Sequence, residues 1–340
     1  MAILPQFREV SGRKIAMGSQ SLSYGESVRF CSRAAAGMPY NGRMRRGIIF
    51  LNGYKLFPGL DRCAQRLEEE FAARGVRLTR AYSTSFPGFI DDNGRLPSNF
   101  LEADFIIYLD KDKYIAALLE KMGFRLFNNA KAIEICDDKM LTHLHLSNHG
   151  IKMPKTLSGP LNYSGKIDAS YLDVVRKELP FPIVVKHNFG SLGAGVYLAN
   201  DEAGLAELEA KLGADPRLYQ RFIASSRGKD IRLILVGGKV IAAMERQARN
   251  GEFRSNIGLG GKGKALTPPS PYIEVAEKAA KLLQLDYCGI DLLIGPKGEP
   301  ILCEVNSNAF FEGIEQATGV DVAKAYAEYI ISEVYPYENR

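Results

Sequence analysis

Three oxygen-bearing side chains, Asp291, Glu304 and Asn306, stand near the carboxyl end of a 340-residue chain, in a stretch whose spacing could gather them. Cys288 to Ile294 is a short apolar run with one acid, Gly295-Pro296-Lys297-Gly298 is a turn cluster, and Pro300 to Asn306 is a second apolar run with two polar interruptions. The pattern predicts a β-hairpin. A four-residue loop pairing Ile294 with Glu299 sets Asp291 opposite Leu302, and side-chain alternation then turns Asp291, Glu304 and Asn306 to one face. Asp291 and Glu304 become diagonal neighbours about 7–8 Å apart at the backbone, close enough to share one or two Mg²⁺ ions with substrate phosphates. The alternative is a solvated polar strand face.

A second source of chemistry is the glycine-rich segment Gly190, Ser191, Gly193, Gly195. It follows the strand-like run Phe181 to Asn188, which carries Lys186, and leads into another strand-like run, Val196 to Ala199. Rossmann and Walker loops open into a helix, so this order excludes both. What remains is a flap whose backbone N–H groups can approach phosphate oxygens while Lys186 supplies a point charge, or else a plain glycine-rich turn. Further on, Asp230 to Val236 and Lys239 to Gln247 flank Gly237-Gly238 as a second hairpin. In a regular register Arg232 and Arg246 would face opposite sides, so either a bulge intervenes or one arginine is structural. Residues 250–264 lack periodicity and carry Arg254, Asn256, Lys262 and Lys264, which suits a mobile loop over an anionic ligand.

The elements that must hold these residues are those of a soluble globular chain, 46% hydrophobic and 24% charged. A net charge of +5 from 44 basic and 39 acidic residues is too mild to demand nucleic acid and fits an enzyme handling anionic small molecules. Five cysteines without CxxC or zinc spacing favour a reducing compartment, and the start of the chain shows no apolar signal core, so a cytoplasmic protein without membrane contact is expected. His143 and His145 are not spaced i, i+4, and His149 pairs with His145 only, so a solvated helix face is expected for these histidines rather than zinc. Gly47 to Gly53, a helix from Asp61 to Arg74, Val76 to Arg80, Phe105 to Asp110 and a helix from Lys113 to Met122 predict an open, mostly parallel sheet over residues 47–128. Substrates often bind at the carboxyl ends of such strands. One helix is expected from Ala130 to His149, containing Lys139, then a charged helix at YLDVVRKEL, a helix from Pro271 to Gln284 and a closing helix from Asp321 to Val334. Residues 1–46, with Arg43, Arg45 and Arg46, form an extension without a readable role.

Taken together, DDKMLTHLHLSNHGIKMPKT, FPIVVKHNFGSLGAGVYL, YQRFI, GKDIRLILVGGKVIAAMERQ, GEFRSNIGLGG and CGIDLLIGPKGEPILCEVNSNAFFEGIE resemble, in order, the RimK-like branch of the ATP-grasp superfamily over residues 130–320. The resemblance implies an α/β fold, α+β in the ATP-binding part, with a Rossmann-like substrate-side domain at 47–128. A helical linker and the start of the central domain would occupy 129–180, and a nucleotide- and metal-binding domain 181–340. It implies that Lys139 and Lys186 meet nucleotide phosphates beside the Gly190, Ser191, Gly193 and Gly195 loop. Gln220, Arg221, Phe222 and Ile223 form the adenine hinge, and Asp230 belongs to the nucleotide side. Asp291, Glu304 and Asn306 hold Mg²⁺ or Mn²⁺, Arg232, Arg246 and Arg254 face an acyl phosphate, and Asn256 is its neighbour. After Asn306 the family commonly continues Ser-Pro-Gly, whereas this chain has Ser307-Asn308-Ala309-Phe310-Phe311.

The implied activity is an ATP-dependent carboxylate–amine ligase that forms an amide through an acyl phosphate, adding a glutamate-like amino acid to a peptide, protein tail or small molecule. The chemistry is coherent: a carboxylate is a poor electrophile until phosphorylated, and water must be excluded from the product of that step. The expected partners are ATP, a carboxylate and an amine, with a homo-oligomer left open. Competing expectations are a phosphotransferase acting on a polyol and a non-catalytic ATP-binding regulator.

Overall fold

The computed structural model describes residues 39–40, 43–54, 56–97, 101–164, 169–249, 251–256 and 260–336. These residues belong to one compact unit, Ala36–Arg340. The expected extension, apart from residues 39–40 and 43–46, lies outside the described residues, as do residues 250 and 257–259 of the expected loop.

The chain opens on β1 (Pro39–Tyr40) and β2 (Arg43–Leu51), followed by α1 (Pro58–Ala73), β3 (Val76–Tyr82), β4 (Phe105–Leu109), α2 (Lys113–Lys121) and β5 (Leu126–Phe127). β2, β3, β4 and β5 pair in parallel in the order β3-β2-β4-β5, with β1 antiparallel to the start of β2. The apolar runs are continuous because both faces are covered. Ile49, Leu51, Phe105 and Ile107 join a core with α1, whereas Ile48, Phe50, Ile106 and Tyr108 pack against α2. Two starts differ from expectation by three residues or more. β2 starts at Arg43, not Gly47, and α1 starts at Pro58, where proline's fixed φ suits the first helical turn, rather than at Asp61.

The expected single helix from Ala130 to His149 is two: α3 (Ala130–Asp137) and α4 (Lys139–Leu146). Asp138 has extended dihedrals, and its carboxylate accepts from the backbone N–H groups of Met140 and Leu141. It therefore caps a new helix in mid-run, which hydrophobic periodicity does not register.

A four-stranded antiparallel sheet follows, ordered β6-β9-β7-β8, from β6 (Thr156–Ser158), β7 (Ile183–His187), β8 (Val196–Ala199) and β9 (Arg217–Arg221). The helices α5 (Ala169–Glu178) and α6 (Glu202–Leu212) cover one face through Val175, Leu179, Leu205 and Leu212. β7 and β8 form the strand–loop–strand unit around the glycines. Gly195, at φ +73°, must be glycine: a Cβ there would lie 2.6 Å from the His187 ring.

The last sheet is antiparallel, ordered β12-β11-β10-β13-β14, from β10 (Lys229–Val236), β11 (Lys239–Gln247), β12 (Lys262–Ala265), β13 (Tyr287–Ile294) and β14 (Pro300–Asn306). β12 corrects the expectation of a structureless 250–264, since Lys262 to Ala265 pair with Met244 to Gln247. α7 (Ser270–Leu282) packs with α3 and α4 on one face, against Ile231, Leu233, Ile290, Leu292 and Leu302. α8 (Glu312–Thr318) and α9 (Val322–Val334), capped by Asp321, lie on the other. No helix among the described residues is long and apolar enough to cross a membrane.

Asn128, just past β5, fastens the parallel sheet to the last hairpin. Its Nδ2 donates to the carbonyls of Tyr287 at 2.7 Å and Ser307 at 2.9 Å, while its Oδ1 accepts from the N–H groups of Asp286 at 2.7 Å and Tyr287 at 3.0 Å. The side chain is 1% exposed, so every lost bond leaves a buried backbone group unpaired. Asn128→Ala should therefore cost about 3 kcal/mol or more, read as a lower urea midpoint at unchanged slope. A midpoint matching the wild type would show that the clasp contributes little.

Candidate active site

The hairpin β13–β14 does bring its polar residues to one face, but in a different register. Ile294 pairs with Pro300 rather than Glu299, and Leu292 with Leu302. The pairing then shifts, so that Asp291 stands directly opposite Glu304 and Gly289 opposite Asn306. The extra residue is Cys303, and the bulge corrects the diagonal arrangement to a direct cross-strand pair. A second irregularity between Ile234 and Leu235 leaves Ile241 without a partner in β10–β11 and sets Arg246 opposite Asp230. Arg232 and Arg246 consequently share a face, which settles the open question in favour of a bulge.

Four charges interlock on that face. Arg232 grips Asp291 with two donors, Nε to Oδ1 and Nη2 to Oδ2, the latter at 2.6 Å. Arg246 Nε donates to Asp230 Oδ1 at 2.7 Å, its Nη2 donates to Asp230 Oδ2, and Nη2 also lies 3.0 Å from Asp291 Oδ2. Burial alone would raise the Asp291 pKa, but Arg232 and Arg246 overcome it and hold the carboxyl below its ordinary range. Arg246 remains charged, its pKa raised by Asp291 and Asp230 against the effect of burial.

This face forms one wall of a cleft of about 850 Å³, and the sheet of β7 and β9 forms the other. Lys139 and Lys186 both line it. Lys139 Nζ donates to the Gly190 carbonyl at 2.9 Å and lies 3.6 Å from Glu304 Oε1. Burial lowers the Lys139 pKa, with Glu304 opposing the shift. Lys186, 7% exposed, points at Cys303 Sγ, 3.6 Å away. Gly190, Ser191, Gly193, Gln220 and Asp230 also line this cleft, as do Phe222, Ile223, Arg221 and Arg254. Gly195 does not; it shapes the turn instead. Arg254 ties two loops together, donating to the Gly193 carbonyl at 2.9 Å and to Glu252 at 3.1 and 2.9 Å, which pushes the Glu252 pKa down to about 2.

A wider groove of about 2090 Å³ adjoins the cleft, and Ser191, Arg246, Asn256 and Glu304 line both. Arg232 and Asn306 face the groove. The donor set Asp291, Glu304 and Asn306 is all oxygen, which suits Mg²⁺ or Mn²⁺. Asn306 Nδ2 is buried without a partner, so that amide is not committed to the fold. Among the described residues no third His, Cys, Asp or Glu joins the two carboxylates, and nucleotide phosphates would have to complete a shell, as is usual for Mg²⁺.

Several lining residues escaped the sequence. Pro154, Val184, Leu293 and Phe253 supply apolar walls, and Phe253 meets Phe222 edge-on with ring centroids 6.5 Å apart. Cys303 enters only through the bulge. Asp110, at the carboxyl end of β4, carried a usable signal, since ligands gather at the ends of parallel strands. His143 corrects the expectation of a solvated face. It is 6% exposed, with Nε2 2.8 Å from Gln220 Nε2 and Nδ1 3.1 Å from Met153 Sδ. Gln220 also donates to Thr156 Oγ1 at 2.9 Å, so its side chain braces the strand leading into Phe222 and Ile223.

Residues 136–330, more than half of the chain, match the RimK-like ATP-grasp domain. The chain belongs to the RimK-like ATP-grasp family. It is 40% identical over 223 residues to the probable alpha-L-glutamate ligase of Vibrio vulnificus strain YJ016, covering 65% of this chain and 72% of that one. It is 35% identical over 259 residues to N-acetylaspartylglutamate synthase A of Homo sapiens, covering 76% of this chain but only 63% of that longer protein. The ATP-grasp fold is seen again in the ligase PsnB complexed with minimal precursor, Mg and ADP, at a TM-score of 0.63 and 16% identity, over 85% of this chain and 97% of that one.

The His143 environment has a consequence for this RimK-like chain. Desolvation, reinforced by Lys186 and Lys139, pushes the His143 pKa from 6.5 down to about 3. Between those values the unfolded chain binds the proton that the folded one refuses, so stability falls as pH drops through this window. From pH 7 to pH 5 the wild type should lose about 2 kcal/mol more than His143→Gln, measured by urea unfolding. Equal losses would refute it.

Proposed function

We propose that the protein is an ATP-dependent carboxylate–amine ligase that forms an amide or peptide bond through an acyl phosphate. The observation that carries this reading is the junction of cleft and groove at Ser191, Arg246, Asn256 and Glu304. A phosphoryl group can pass from a nucleotide in the cleft to a carboxylate in the groove without crossing bulk water. Residues 47–128 supply the substrate side and residues 181–340 the nucleotide and metal side.

The apolar walls Val184, Leu293, Phe222 and Phe253 suit adenine, and the backbone after β9 suits its polar edge. Lys139 and Lys186 offer fixed positive charge to the phosphates, with the glycine loop above them. Asp291, Glu304 and Asn306 would hold Mg²⁺ or Mn²⁺, which supplies charge neutralisation between the phosphates. Arg246 and Arg232 stand where negative charge develops as the phosphoryl group moves, preorganised by Asp230 and Asp291. Arg254, by joining the Gly193 loop to its own, keeps water from the acyl phosphate. The amine attacks that intermediate and releases phosphate. The names of the relatives favour glutamate or a similar amino acid as the amine.

Steady-state assay with a panel of carboxylates and amines should show ADP and phosphate release that requires both together. ADP without free phosphate would indicate transfer to a hydroxyl instead. Glu304→Ala, which removes one half of the carboxylate pair, should lower turnover by about 10³-fold or more at unchanged folding. Near-normal turnover in that variant would remove the pair from the mechanism.

A further inference from the structure

Asp110 is the exception among the carboxylates around the two cavities. Asp291 has Arg232, Asp230 has Arg246, Glu304 has Lys139, and Glu312 has Arg62. Asp110 lines the wider groove at 7% exposure, and no lysine or arginine among the described residues pairs with it. The adjacent Lys111 is turned away to Asp137 at 2.8 Å. What holds the Asp110 carboxylate is uncharged. Asn52 Nδ2 donates to its two oxygens at 3.3 and 3.2 Å, and the Lys111 N–H donates to Oδ1 at 2.7 Å.

A buried carboxylate left without a cation is costly in a finished fold and useful in a binding site. Burial raises the Asp110 pKa, and the nearby Asp112 adds to the effect, against the Lys111 and Asn52 hydrogen bonds. Its place is fixed from two directions. Asn52 and Asp110 each follow the carboxyl end of a neighbouring parallel strand, and Asn308 Nδ2 donates to the Asp110 carbonyl at 2.7 Å. Asn308 lies in the Ser307 to Phe311 segment, where this chain leaves the family's usual sequence. The groove is therefore lined by an uncompensated carboxylate at Asp110 and by Arg232 and Arg246, whose charge is shared with Asp291 and Asp230, with Leu60, Leu109 and Phe310 among its apolar lining.

We infer that Asp110, held by Asn52 and Asn308, receives a free ammonium group on the substrate whose carboxylate is activated at Arg232 and Arg246. An ammonium paired with a carboxylate keeps its proton and is not a nucleophile, so this group is a recognition handle and not the attacking amine. The activated substrate is then an amino acid or a peptide with an unblocked amino terminus. This rests on the ligase reading above and narrows it.

The test is calorimetric titration of the full chain, with Mg²⁺ and a non-hydrolysable ATP analogue, by amino acids and dipeptides and by their N-acetylated counterparts. At least one free compound should bind, and acetylation should weaken it about 10- to 100-fold, the value of one charge-assisted hydrogen bond. Asp110→Asn should impose the same loss on the free compound and none on the acetylated one. Equal affinity for free and acetylated forms, an unaffected Asp110→Asn variant, or binding by no free compound would each overturn the inference. Because the acceptor amino acid also binds through its amine, the loss on acetylation is read against a variant, and Asp110→Ser takes the place of Asp110→Asn if the latter is unstable. Phosphate release with acetylated carboxylates alone would overturn this inference and leave the ligase reading intact. Binding that depends on Asp110, with no ADP formed from any pair, would overturn the ligase reading and leave Asp110 as an ammonium site alone.

Discussion

The structure depends on one requirement of the β10–β11–β13–β14 sheet: six polar side chains must share a face while the opposite face stays apolar. Side chains alternate strictly along a strand, so with Val236 paired to Lys239 and Ile294 to Pro300 a regular ladder would turn Arg246, Glu304 and Asn306 away from Asp230, Arg232 and Asp291. Two bulges, one at Ile241 and one at Cys303, each add the single residue that turns Arg246 and Glu304 to the correct side. The two aspartates and two arginines then neutralise one another, which is what allows Asp230, Arg246 and Asp291 to be buried. Removing one partner from such a group typically costs about 3–5 kcal/mol, because the charge left behind has no water. The same cluster that lines the two cavities therefore also stabilises the sheet.

That face is divided along its length. In β10, Asp230 and Arg232 meet the cavities, whereas Ile234 and Val236, on the same side of the strand, enter the core with α9. One strand thus lines the cavities at one end and packs the core at the other, and the two cannot drift apart. Asn128 extends the coupling to the parallel sheet, because its amide bonds the backbone at both Tyr287 and Ser307. The wider groove lies across this junction, with Asp110 just past β4 and Asn308 just past β14 in direct contact. Its shape is set by the clasp rather than by either sheet alone.

Much of this was legible beforehand, and for identifiable reasons. The order strand, glycine loop, strand excluded helix-opening phosphate loops, and β7 and β8 follow that order. Gly47 to Gly53 and Phe105 to Asp110 announced buried parallel strands because both faces are covered. The break at Asp138 was hidden, since an N-cap inside an apolar-periodic run leaves the period intact. β12 was hidden because an edge strand of Lys, Gly and Ala has no apolar alternation to detect. His143 was misplaced on a solvated face because its burial depends on Gln220, a residue 77 positions away.

The sequence by itself determined which residue types were present for phosphate, metal and acyl chemistry and the order in which they appear, because strand and turn patterns are local properties. Only the tertiary structure decided which of them meet. The registers of β10–β11 and β13–β14 turned on single bulged residues. The pairing of Asp291 with two arginines required three strands to align. Asp110 stood out only once the other carboxylates lining the two cavities were seen with their cations. Those are long-range relations, and a one-residue shift in register, which leaves composition and periodicity unchanged, would reverse them.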